Sequence, residues 1–257
     1  EIQIQSAVFL KSYVLKTLRT SGSFLRLGLH DTQMTADDVL LMVEGLHRAQ
    51  CLRHLDIRSN KLAGGIAGNL GNVLGKIRGL QQLSLVSCSI TNAEADVLAN
   101  ALVEIQELKA LDLGCNRIGS AGARSLANAL TKIFATRGLD SLDLRNNMLG
   151  DYGATTLMHA IACDKEAPSP NTNEDVRSET CSMNSSKLRT LNLSLNGIGP
   201  DAAAEISSCL PYLASLTSLN LSSNMWLDRG VEELSLGLEM CQALSYLNIS
   251  KGSFGDA

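Results

Sequence analysis

The chain has 257 residues and a formal net charge of −4. Its hydrophobic content of 45% is enough for a large buried core and excludes a wholly disordered chain. The weakly acidic balance gives no overall attraction to nucleic acid or to anionic lipid. No apolar run reaches the ~18–20 residues of a membrane span. We therefore expect neither nucleic acid nor a membrane as a partner.

The cysteines argue against an extracellular setting. They show no CxxC pair and no even spacing: Cys51, Cys88, Cys115, Cys163, Cys181, Cys209 and Cys241. A disulfide framework or a zinc ribbon is therefore not expected. No charged-then-apolar leader opens the sequence. We predict a cytoplasmic protein in a reducing compartment.

A nine-residue pattern, Leu-x-x-Leu-x-Leu-x-x-Asn, recurs from residue 24 onward. Clear copies include LRHLDIRSN from Leu52 and LDSLDLRNN from Leu139. The eight copies start at residues 24, 52, 80, 108, 139, 188, 216 and 244. Because five of the seven spacings are 28 residues, we predict eight structural repeats over 24–257, within one domain covering 1–257. Positions below are numbered from the start of each copy.

Each copy predicts one strand followed by one helix. Positions four and six are apolar and alternate with polar residues, which is the period of a strand with one buried face. Position eleven is apolar in every copy, and Trp226 at this position is predicted to lie in the core. Positions nineteen and twenty-three are apolar four residues apart, as on the buried side of a helix. Since one such unit cannot bury its own apolar face, neighbouring units must stack.

Stacking sets the predicted shape. Parallel strands lie about 4.8 Å apart, whereas packed helices need about 10 Å, so the stack bends with its sheet inside. The predicted fold is a right-handed α/β solenoid, a horseshoe with an inner parallel sheet and outer helices. Position nine, where the chain leaves the strand, carries asparagines that are predicted to satisfy buried backbone groups: Asn60, Asn116, Asn147, Asn196 and Asn224.

This arrangement resembles the leucine-rich repeat, specifically its long, ribonuclease-inhibitor-like class, over nearly the full chain. The resemblance implies a horseshoe fold and a role in protein recognition. It does not imply a particular partner, because this class binds many unrelated proteins.

Three segments depart from the period. Residues 1–23 are predicted to be an N-terminal helical half-repeat, with a helix near 7–19 and its strand absent or degenerate. Residues 163–187 are rich in Ser, Thr, Asn, Pro and acid and are predicted to be a hydrophilic insertion loop, either a tolerated insertion or a partner-binding or phosphorylated loop. The last copy lacks a polar cap, so we expect a segment of a longer chain or an end covered by a partner.

The inner face of the sheet is the predicted partner site, because the resemblance implies binding there. Positions five and seven carry mixed charge in the N-terminal half and small neutral residues in the C-terminal half. Interface anchors are usually Trp, Tyr or Arg. The predicted partner-binding residues are Asp56, Arg58, Asp112, Asp143, Arg145 and Tyr246. The alternative is a plain scaffold surface, since many such repeats carry Asp or Asn at position five without a partner.

Signs of catalysis are few. The sequence has no GxSxG, HExxH, GxxxxGK[ST] or GxGxxG motif. His30, His54 and Asp56 could cluster on the inner face, but a metal site would need a further ligand. We therefore expect a protein that is not an enzyme and that holds no metal or cofactor.

The leading hypothesis is a protein–protein interaction scaffold or recognition module within a larger intracellular protein or assembly. The sequence leaves open a cytoskeletal or ciliary component, part of an immune sensor, and an inhibitor, although ribonuclease inhibitor itself is richer in Cys and acid. The alternative is a GTPase-activating protein of the Ran type, which shares this repeat architecture and acts through loops at the strand exits. Here these exits offer Arg117, Asn146 and Arg229.

Overall fold

The structure, a computed structural model, describes residues 2–5, 14–17, 23–62, 66–162 and 187–252. Within them, nine strands form one open sheet in chain order, and all neighbouring strands are parallel. The strands are β1 (Ile2–Gln5), β2 (Arg26–His30), β3 (His54–Asp56), β4 (Gln82–Ser84), β5 (Ala110–Asp112), β6 (Ser141–Asp143), β7 (Thr190–Asn192), β8 (Ser218–Asn220) and β9 (Tyr246–Asn248).

One helix follows each strand from β2 to β8. The helices are α1 (Ala36–Leu46), α2 (Ile66–Leu74), α3 (Asn92–Glu104), α4 (Ser120–Thr136), α5 (Gly150–Ala162), α6 (Ala203–Cys209) and α7 (Leu227–Leu238). Short 3-10 turns flank α6 at Pro200–Ala202 and Leu210–Tyr212. The predicted α/β solenoid is confirmed. No helix in the described ranges is long and apolar enough to cross a membrane.

The core runs along the solenoid between the sheet and the helices. The strand register places equal repeat positions side by side, so Leu55, Leu83 and Leu111 are neighbours. From β2 to β8, the side chains at positions four and six are at most 2% exposed. Trp226 is fully buried, as predicted, and its Nε1 donates to the carbonyl of Leu221 at 2.8 Å. Each unit thus buries its apolar face against its neighbours.

The N-terminal half-repeat does contain a strand. β1 pairs in parallel with β2, with Ile2 beside Leu27, so of the two alternatives, an absent or a degenerate strand, the structure shows a strand that is present. The sequence IQIQ alternates as a strand should but lacks the leucine pattern. Residues 14–17 are helical. Residues 163–186 of the insertion predicted at 163–187 lie outside the described residues.

Buried asparagines join successive turns. Asn116 donates through Nδ2 to the carbonyls of Leu85 and Leu113, each at 2.9 Å. Its Oδ1 accepts from the N–H groups of Cys88 at 2.9 Å and Ile90 at 3.1 Å. Four other position-nine asparagines also bridge their own turn and that of the preceding repeat: Asn60, Asn147, Asn196 and Asn224. The ladder therefore satisfies buried backbone groups, as predicted.

The turns held by this ladder share one unusual conformation. Position eight has a positive φ, between 49 and 58°, in all eight copies: Asp31, Ser59, Ser87, Cys115, Asn146, Leu195, Ser223 and Lys251. For a residue with a side chain, the left-handed region costs about 1–2 kcal/mol. Tertiary hydrogen bonds, rather than the local residue, therefore hold the turn.

Replacing Asn116 with alanine should lower the free energy of unfolding by about 2–4 kcal/mol, because buried N–H and C=O groups lose their partners. Asn116→Cys should cost less, since Cys88 fills the same slot in the preceding repeat and its thiol lies 3.4 Å from the carbonyl of Ile57. Urea denaturation followed by circular dichroism measures both effects. Equal midpoints for the wild type and the alanine variant would show that the ladder contributes little.

Candidate functional site

A concavity of about 310 Å³ lies on the inner face between β3 and β6. Small residues create it, because Ala110 and Ser141 stand at position three, where the preceding repeats carry His54 and Gln82. Ser84 is similarly small at position five. The polar and small lining residues are His54, Asp56, Arg58, Gln82, Ser84, Ala110, Asp112, Ser141 and Asp143.

Asp56 is well compensated. The Nε of Arg58 donates to both of its carboxylate oxygens, at 3.0 and 2.9 Å, and the Arg58 Nη2 contacts Oδ2 as well. The Nε2 of His30 lies 3.1 Å from the same Oδ2. Burial alone would raise the pKa of Asp56, but the hydrogen bonds from Arg58 and the nearby positive charges lower it below its usual value.

Asp112 and Asp143 share one guanidinium. The Nη1 of Arg145 binds Oδ2 of Asp143 and lies 3.7 Å from Oδ2 of Asp112. Gly114 allows this reach, since a Cβ there would lie only 3.0 Å from Cγ of Arg145. Burial, together with the negative charge of Asp143, raises the pKa of Asp112. The hydrogen bond from Gly114 and the nearby arginines lower it, but by less, so the pKa of Asp112 lies above its usual value.

The structure places the predicted partner-binding residues in two groups. Five of them meet at or beside the concavity: Asp56, Arg58, Asp112, Asp143 and Arg145. Tyr246 lies on β9, three strands beyond β6, and is 51% exposed. Both arginines bind aspartates of their own repeats, so their guanidiniums are partly occupied.

The histidines on this face do not converge. The Nδ1 of His54 lies 2.7 Å from Oε1 of Gln82, whereas His30 is paired with Asp56. In the part of the chain that the structure describes, no group of three or more His, Cys, Asp or Glu residues could hold a metal ion.

The C-terminal half of the inner face is neutral and bonded to itself. Oδ1 of Asn192 accepts from the backbone N–H and the hydroxyl of Ser194, at 3.1 and 2.8 Å. Asn220 and Ser222 repeat this arrangement. The charged groups at positions five and seven therefore belong to the N-terminal half.

The strand exits carry polar and apolar side chains. Arg117 and Asn146 are exposed on neighbouring exits, whereas Arg229 lies in α7. An apolar group on these exits was not foreseen from the sequence, although its members lie at positions eight, ten and twelve, next to the predicted turn. These side chains are 47–59% exposed: Met148, Leu195, Met225 and Leu227.

Comparison with known proteins agrees with this architecture. Family models described as Leucine Rich Repeat match residues 51–73, 106–127 and 184–207. The chain is built from leucine-rich repeats. Leucine-rich repeats indicate a protein–protein interaction module in general.

A further similarity is short. Over 65 residues, the chain is 46% identical to the Tonsoku-like protein of Mus musculus. That stretch covers 24% of this chain and 5% of the mouse protein. The matched stretch therefore spans only a small part of the length of the mouse protein.

Asp56→Asn should lower the melting temperature at neutral pH, whereas Asp112→Asn should raise it. The lowered pKa of Asp56 means that its charge stabilises the fold at neutral pH, and that this contribution is lost as the pH falls through the folded-state pKa. The raised pKa of Asp112 means that its charge destabilises the fold at neutral pH. This destabilisation disappears when the carboxylate is protonated at acidic pH. Each effect should be about 1 kcal/mol or less.

Asparagine suits both positions, because Asn192 and Asn220 occupy the same place in later repeats. Thermal unfolding at neutral and acidic pH provides the measurement. Changes of the same sign in the two variants would contradict this account of the two carboxylates.

Proposed function

We propose that this chain is a non-enzymatic scaffold or recognition module of the ribonuclease-inhibitor-like class, formed as a single leucine-rich repeat domain over residues 1–257. It belongs to a larger intracellular protein or assembly, of a cytoskeletal or ciliary, immune-sensor or inhibitor type. Its partner is another protein. A cytoplasmic setting is supported by the cysteines, since none of the five in the described ranges forms a disulfide.

The observation that carries the proposal is the charged concavity on the inner face. Asp56, Arg58, Asp112, Asp143 and Arg145 surround a space of about 310 Å³ that no described side chain fills. Hydrogen-bonded aspartates and arginines hold a fixed pattern of charge there. Ordered charges that surround an open space favour a partner with a complementary surface.

Tyr246 contributes at the other end of the face. Its ring is half exposed on β9, and its hydroxyl lies 3.4 Å from Nδ2 of Asn248. We assign it to a partner that runs along the sheet from the concavity toward β9. The uncharged surface between them supplies contact area and few anchors.

Filling the concavity should remove partner binding. Ala110→Tyr places on β5 the residue that β9 already carries at position three, so the strand should tolerate it. We expect immobilised wild-type protein to retain a stoichiometric partner from native lysate, and the variant to retain at least tenfold less, because the ring occupies the space that the partner needs.

Asn128→Tyr on the exposed side of α4 is the matched control and should bind like the wild type. Recovery of no stoichiometric partner under mild conditions would count against an interaction module. Full retention by Ala110→Tyr, with loss on deletion of residues 164–186, would move the site to the insertion.

A further inference from the structure

The three aspartates at position five of the concavity differ in their counter-charges. Asp56 and Asp143 are each followed two residues later by an arginine that binds their carboxylate. Asp112 is followed at the same distance by Gly114. The repeat that contains Asp112 therefore supplies no cation of its own at position seven.

The next repeat compensates Asp112 only in part. Among the described residues, its ion pair is with Arg145 alone, at 3.7 Å, which is too long for a hydrogen bond. The same Nη1 binds Asp143. One guanidinium is thus shared by two carboxylates, and the Asp112 carboxylate accepts a hydrogen bond from the N–H of Gly114, at 3.0 Å.

Ser84 stands beside Asp112 on the side opposite Asp143. The register places Asp56, Ser84 and Asp112 side by side on β3, β4 and β5. Neighbouring strands lie about 4.8 Å apart, so a group seated over Ser84 lies roughly 5 Å from a carboxylate on each side. The hydroxyl oxygen of Ser84 is buried and makes no hydrogen bond with any described residue. Because this oxygen is not accessible, the concavity over Ser84 is bounded by a small side chain that brings no charge of its own.

We propose that the space over Ser84 receives a cationic side chain, lysine or arginine, of the partner protein, held between Asp56 and Asp112. This inference rests on the proposed function, because it names the chemistry of the group that occupies the inner face. Ser84 and Ala110 leave the space, and Asp112, which has no hydrogen-bonded cation among the described residues, supplies most of the attraction because Asp56 is already bound by Arg58.

The charge balance favours a cation over an anion. With the histidines counted as neutral, three aspartates and two arginines leave one net negative charge around the concavity. Both guanidiniums already contact aspartates of their own repeats. A carboxylate of a partner would compete with these aspartates and would be repelled by Asp112, whereas an ammonium or guanidinium group would add the missing counter-charge.

Nuclear magnetic resonance with short peptides provides the test. The probes are four acetylated, amidated peptides of sequence Gly-Ser-X-Ser-Gly, with X being Arg, Lys, Gln or Glu. Titrated to millimolar concentration into isotope-labelled protein, the Arg and Lys peptides should shift the backbone amide signals of Ser84, Asp112 and Gly114. The Gln and Glu peptides should leave them in place.

Variants at three sites separate binding in the space over Ser84 from general attraction to an acidic protein. Asp112→Asn keeps the shape of the side chain and should weaken Arg-peptide binding at least fivefold, because one flanking carboxylate is lost. Ser84→Arg places a guanidinium of the chain itself between Asp56 and Asp112 and should abolish binding. Asn128→Arg adds the same charge on the exposed side of α4, away from the inner face, and should leave binding intact.

Every outcome decides the proposal. Equal shifts with the Gln peptide, no shifts with the cationic peptides, or unchanged binding to Asp112→Asn would overturn it. Shifts with the Glu peptide at Arg58 and Arg145 would show an acidic occupant instead. If these results appear while Ala110→Tyr still loses its cellular partner, the inner face remains the site and only the chemistry of the occupant is wrong.

Discussion

The turn at the end of each strand buries backbone groups that its own residues cannot satisfy, and the rest of the solenoid depends on how they are paired. Asn116 pairs groups of its own turn and of the turn before it, so each repeat completes the one that precedes it. This coupling also holds position eight in the left-handed region, whether the residue there is Asn146 or Leu195. A single repeat therefore has no stable turn, and stability comes from neighbours.

The same coupling builds the inner face. Because the turns fix the register, positions three, five and seven of successive strands form straight rows across the sheet. A change of residue in one row then alters a defined place on the surface. The small residues Ser84 and Ala110 open a concavity. Gly114 stands where two other repeats carry an arginine, so Asp112 has no cation from its own repeat. Chemistry on this face is thus set by single positions within a repeated frame.

The repeat itself is readable from the sequence because the leucine spacing is locked to the strand and helix periods. The strand Ile2–Gln5 could not be located from the sequence, which left it absent or degenerate, because four residues with two isoleucines carry too little of that pattern. The positive φ at position eight could not be predicted from the sequence either, since the residues there share no property and tertiary hydrogen bonds decide the conformation. The gathering of five predicted site residues follows from the register, whereas the sharing of Arg145 depends on a side-chain orientation across two strands that Gly114 permits.

The proposed function requires that a partner protein bind the charged half of the inner face. Photo-crosslinking from single positions tests it most directly, with p-benzoylphenylalanine placed at Gln82 on the inner face or at Asn100 on the exposed side of α3. Irradiation in native lysate should yield one dominant covalent adduct from position 82 and none from position 100. An adduct from position 100 without one from position 82 would contradict the account.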